Sequence, residues 1–177
     1  MHRQLFAIFV LGALSVGTAF GQTPYAGLQG RPIKALSELQ IADLQAGRGM
    51  GLALPAELNG YPGPSHLLEL ADRIGLSDAQ RRDIQSMFDA MKSEAIGIGE
   101  HLVAQEAALG ALFAKHSATP EAISVATAEI GATQGKLRAA HLKYHLMTVG
   151  TLQPSQIEQY AQLRGYAGES TLHHHPR

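Results

Sequence analysis

Two histidines carry the most legible chemistry in the chain. His141 and His145 stand four residues apart. On a helix that spacing stacks two imidazoles on one face, a turn apart, which is half of a transition-metal site. The remaining donors must come from other elements. If the preceding segment folds back as a second long helix, counting outward from the turn sets Glu94 opposite His141, with Asp89 close behind. His66, on an earlier helix, is then the fourth candidate ligand. Nitrogen and oxygen donors of this kind suit a divalent transition ion such as nickel, cobalt, zinc or copper. A plainer reading stays open: both histidines lie one residue past apolar seam positions and pack at the edge of a helix interface. His101 and His116 read as surface or turn residues, and the terminal His173, His174 and His175 as a loose metal-binding or solvated tail. Met87, Met91 and Met147 recur at apolar spacing and read as core rather than as soft-metal ligands.

Other chemistries find little support. The chain has no cysteine, and no strand-turn-helix elbow is present to hold an activated serine. Glu100 and Glu106 are what a solvated helix face normally carries, so an enzyme is not expected, nor any required cofactor. Gly47-Arg48-Gly49-Met50-Gly51 lacks the Gly-Lys-Ser/Thr ending of a phosphate loop. With 14 Lys and Arg against 15 Asp and Glu, the charge is balanced and gives no reason to expect nucleic acid as a partner.

The elements that must position the histidines are long helices. Of 177 residues, 45% are hydrophobic and only 6% aromatic, and Ala, Leu, Gln and Glu outweigh β-branched runs, a helical composition. Asp78 to Lys115 reads as one helix of roughly 57 Å. Its apolar seam steps by four and three through Ile84, Phe88, Met91, Ala95, Ile98, Leu102, Leu109 and Leu112, broken only by Gln105. A rod with a 3.5-residue period needs a long partner. Thr119-Pro120 starts one, a helix to about Val149 whose seam runs Ile123, Ala126, Ile130, Thr133, Leu137, Ala140, Tyr144 and Met147. The turn between them is short, so the two must lie antiparallel.

Shorter segments flank this pair. Residues 22–64 form a Gly/Pro-rich arm with one helix, about Glu38 to Ala46, started by the capping box Ser37-Glu38-Leu39-Gln40. Leu52, Leu54 and Leu58 are expected to pack the arm onto the helices or a second subunit. Ser65 can cap a helix from His66 to about Ile74, and Leu152-Gln153-Pro154-Ser155-Gln156 opens a last helix to about Arg164. Residues 65–166 thus form the main domain, and residues 167–177 a disordered tail. At the other end, a short positive start, an apolar run from Leu5 to Val16 and Ala19-Phe20-Gly21 read as a cleaved signal peptide, residues 1–21. The expected location is the periplasm.

Leu76-Ser77-Asp78-Ala79-Gln80 and Leu152-Gln153-Pro154-Ser155-Gln156 begin helices on either side of the long pair. Behind an export signal, this arrangement resembles the Spy/CpxP family of small periplasmic proteins, whose mark is a repeated Leu-Thr-x-x-Gln. The likeness spans roughly residues 65–166 and rests on Leu76, Ser77, Gln80, Leu152, Pro154 and Gln156. Ser77 replaces Thr conservatively, whereas Gln153 lacks the capping hydroxyl. The resemblance implies an all-α fold, a long antiparallel hairpin with shorter flanking helices, paired into a dimer. It also implies an ATP-independent chaperone or envelope-stress protein that binds unfolded clients on a concave surface. Periplasmic heavy-metal sensors share the hairpin, use His and Glu from its helices, and report to a membrane sensor kinase or anti-sigma factor. That is the alternative function.

Overall fold

The computed structural model describes residues 25–166. The expected signal segment and the His-containing tail lie outside the described residues. Six α-helices follow in order: α1 (Glu38–Gln45), α2 (Leu54–Glu57), α3 (Pro64–Glu69), α4 (Asp78–Ala114), α5 (Pro120–Val149) and α6 (Pro154–Arg164). There is no strand among the described residues, so the chain is all-α, as its composition requires.

The two long helices form where their caps place them. The Ser77 hydroxyl accepts from the Gln80 amide at 3.2 Å and the Gln80 side chain accepts from the Ser77 amide at 2.9 Å, which starts α4. Thr119 accepts from the Ala122 amide at 3.2 Å and Pro120 takes the first helical position of α5. The turn between them closes with His116 in a left-handed conformation, φ 53°. Along the contact, Ile84, Met91, Ala95 and Leu102 of α4 are buried, as are Ile130, Thr133, Leu137, Ala140 and Tyr144 of α5. The expected seam fails only at its end, where Met147 is exposed and Thr148 is buried instead. The buried stripe of α5 widens there to take in His141 and His145, because the arm covers a second face of the helix.

Two apolar clusters divide the molecule. At the base, Leu67, Ile74, Leu76, Ile84, Leu152 and Tyr160 pack together. Further along the rod, Leu44 of the arm joins Ala95, Leu102, Ile130 and Leu137. Contact with the arm is closest at Gly99 of α4, where a Cβ would collide with the Leu44 carbonyl.

Two expectations change, and one element is new. The helix expected from Ser65 and His66 to Ile74 begins instead at Pro64, capped by Gly63, and ends at Glu69. Proline's preset φ suits the first helical position better than a second one inside the turn. Leu52 packs against the second cluster as expected, but Leu54 and Leu58 are 51% and 57% exposed, and the arm is held through Ile33, Leu44 and Pro62 as well. An unforeseen turn of helix, α2, buries the carboxylate of Glu57.

The segments that begin at Leu76 and Leu152 meet at the base. Gln80 donates to the Gln156 side-chain oxygen at 2.8 Å, and Gln156 returns a bond to Gln80 at 3.1 Å. Each amide also donates to the backbone just ahead of the other motif, Gln80 to the Thr151 carbonyl and Gln156 to that of Gly75. Gln156 still accepts from the Gln153 amide at 2.9 Å. The Gln156 amide itself bonds the Gln153 carbonyl, so only half of a capping box survives, as loss of the hydroxyl predicts. Leu76 and Leu152 insert into the core beside this lock.

Candidate functional site

On the arm, on α4 and on α5, one stretch falls between the two apolar clusters, and there a cavity of about 590 Å³ opens. His66, His141 and His145 line it together with Glu57. Three of the four residues expected to carry the metal chemistry are therefore in one place, His66 from α3 and both His141 and His145 from α5.

Glu57 organises this region. It is only 5% exposed and accepts from the Tyr160 hydroxyl of α6 and from the Gly63 amide, the latter at 3.0 Å. His66 Nδ1 lies 3.3 Å and His145 Nδ1 3.7 Å from its oxygens, and Arg164 Nε lies 3.9 Å away. Burial alone would raise the pKa of this carboxyl. The contact with His66 and the hydrogen bonds from Tyr160 and Gly63 outweigh that effect and lower it to about 2. The same pairing and burial push the Tyr160 hydroxyl up, so it stays a donor. Glu57 is thus a fixed anion that ties the arm to α3, α5 and α6.

His145, 7% exposed, places Nδ1 2.7 Å from the Tyr61 carbonyl. A carbonyl only accepts, so Nδ1 carries a proton, and Nε2 lies on the other edge of the ring. Gly63 packs on that edge of the ring, where a Cβ would stand 2.8 Å from both Cε1 and Nε2. His141, 2% exposed, has no hydrogen-bond partner at Nε2. Burial, followed by the proximity of His145, holds its pKa below the usual range, so the ring is neutral at pH 7. His66 Nδ1 is also buried without a hydrogen bond, because its approach to Glu57 is close but poorly aligned.

Glu94 takes no part. Its carboxylate accepts from Lys143 at 2.6 Å and from the Tyr144 hydroxyl at 3.1 Å, on the outside of the helical pair. The actual register sets it two to three residues further along α5 than counting from the turn suggests, enough to turn it from the histidines. Asp89 is exposed and accepts from Gln85 at 2.9 Å. Glu57 is the residue that reading the sequence missed. The available signal was a lone carboxylate inside an otherwise uncharged run of Gly, Pro and Leu from Gly49 to Pro64.

Chemically, three imidazoles around one cavity, with His141 Nε2 unpartnered, suit a transition-metal ion. Glu57 suits an outer role, since its oxygens are occupied by Tyr160 and Gly63. Among the described residues, no three His, Asp or Glu side chains are arranged to hold an ion together. No family model matches the chain, and no curated protein and no solved structure matches it either.

Proposed function

We propose that this protein is a periplasmic transition-metal-binding sensor whose ion sits on His141 and His145 in the cavity between arm and helices. The observation that carries this reading is the buried, unpartnered Nε2 of His141 on the cavity that His145 also lines. Leaving such a group unsatisfied costs about 1–3 kcal/mol, and a bound ion would remove that cost at His141. The ion links α5 to the arm, so its arrival tightens the arm, and the altered surface reports to a membrane partner such as a sensor kinase or anti-sigma factor. No catalytic role is assigned. The lock between Gln80 and Gln156 supports the likeness to Spy/CpxP proteins, and with it a paired, hairpin-based molecule.

Calorimetric titration of the full chain with nickel, cobalt, zinc and copper tests this reading. His173, His174 and His175 are changed to Ala throughout to silence the tail. Micromolar or tighter binding that is lost in His141→Ala plus His145→Ala is the expected result; unchanged affinity in that variant rejects the site.

A second reading, capture of unfolded clients without ATP, has its own support. Phe113 is 55% and Val125 59% exposed near the free end of the helical pair, and exposed apolar side chains of this size mark interaction surfaces when they cluster. Protection of a denatured client from aggregation at equimolar ratio is the expected behaviour. Absence of protection removes this reading and leaves the metal site standing.

A further inference from the structure

Two imidazoles do not complete a metal centre, and the other donors on this cavity are not carboxylates. Glu57 is the only carboxylate that lines it, and its oxygens are engaged by Tyr160 and Gly63. Beside a third imidazole, that of His66, which is held against Glu57 at 3.3 Å, two thioethers remain, those of Met50 and Met91, on the same cavity as His141 and His145.

The two methionines arrive by different routes. Met91 lies on α4 and is buried at the mouth of the seam. Met50 lies in the arm, in the turn Gly49-Met50-Gly51, and is held at φ 44°. A left-handed conformation is unfavourable for a side chain of this size. Met50 is also 42% exposed, so burial offsets little of that cost. Either neighbouring glycine would suit the turn better, but neither would bring sulfur. Gly49 itself sits against His141, where a Cβ would stand 3.7 Å from Nδ1, so the turn lies directly over the histidine ring.

The thioethers carry no charge, Arg48 on the lining is paired with Asp43 at 2.6 Å, and the Glu57 carboxylate is taken up by Tyr160 and Gly63. Thioether ligands beside imidazole favour a soft ion of low charge over a hard one. We infer that the cavity is a copper(I) site in which the thioethers of Met50 and Met91 complete the coordination begun by His141 and His145. Met50 then serves as the contact through which the ion holds the arm. This rests on the metal-binding reading above and narrows it to a metal class.

The full chain, with His173, His174 and His175 changed to Ala, is titrated with copper(I) against a chromogenic chelator under reducing anaerobic conditions. Silver(I) serves as a redox-inert probe, and zinc(II) and nickel(II) as comparisons. Met50→Leu and Met91→Leu preserve bulk and should each weaken copper(I) and silver(I) binding by at least the roughly tenfold that loss of an outer-shell partner costs. Zinc(II) binding should be unchanged in both. X-ray absorption of the copper(I) complex gives a readout independent of stability: the chain has no cysteine, so a copper–sulfur shell can come only from methionine. A nitrogen-only shell, or leucine variants that bind copper(I) as the parent does, overturns the thioether assignment while leaving a histidine site intact. If no ion binds and His141→Ala plus His145→Ala changes nothing, the underlying metal reading fails as well.

Discussion

Glu57 is a single residue with consequences on four sides. Its folded pKa, about 2, lies below the 4.5 of the free side chain. Such a group stabilises the fold at pH above the unfolded value, and the contribution is lost as pH falls through 4.5 toward 2. By linkage this amounts to about 3 kcal/mol at neutral pH. Glu57→Ala should therefore lower the unfolding free energy at pH 7 by about that amount, measured by urea denaturation. Glu57→Gln should flatten the acid limb of the stability profile between pH 4.5 and 2. Gly63→Ala addresses the neighbouring contact. Its methyl would drive into the His145 ring, so a loss of about 1–3 kcal/mol is expected, with weaker metal binding in the same variant. Residue chemistry was partly legible in the sequence: the spacing of His141 and His145 puts both on one helix face, and both line the cavity. Glu57 was not legible, because only folding of the arm removes that carboxylate from water. Met91 read as core, and burial agrees with that reading, but spacing does not reveal that the same side chain borders a cavity.

At the scale of elements, the capping signals were the most reliable part of the sequence. Ser37, Ser77 and Thr119 each start a helix where the local chemistry demands it. Register was less legible. Counting from a turn leaves an uncertainty of two or three residues, and at about 100° per residue that suffices to place Glu94 on Lys143 and Tyr144. The reciprocal bonds between Gln80 and Gln156 could not be read from either motif alone, since each motif reads only as the start of its own helix. They predict coupling. Gln80→Ala and Gln156→Ala should each cost about 1–2 kcal/mol. The double variant should cost less than their sum by at least about 0.5 kcal/mol. Strict additivity would mean that the amides cap their own helices and nothing more. The arm makes a separate test possible. Gly99→Val would lift α1 from α4 by displacing the Leu44 carbonyl, and faster proteolysis between Gly47 and Gly63 should follow.

For the molecule as a whole, the arrangement is a rod of two helices, a base locked by the two glutamines, and an arm closed over one flank. The cavity lies under the arm, between the two apolar clusters, and not along the seam that organises the rod. The far end of the rod offers Phe113 and Val125 to solvent. Phe113→Ser plus Val125→Ser should abolish protection of a denatured client without altering metal affinity, which would separate the two activities on one chain. The central claim is that the cavity holds a metal through His141 and His145. The most direct measurement is metal titration of the full chain with its three terminal histidines changed to Ala, in parallel with His141→Ala plus His145→Ala. Saturable binding of one ion per chain, lost in the double variant, is the outcome expected here. Equal binding by both proteins, or by neither, would contradict it.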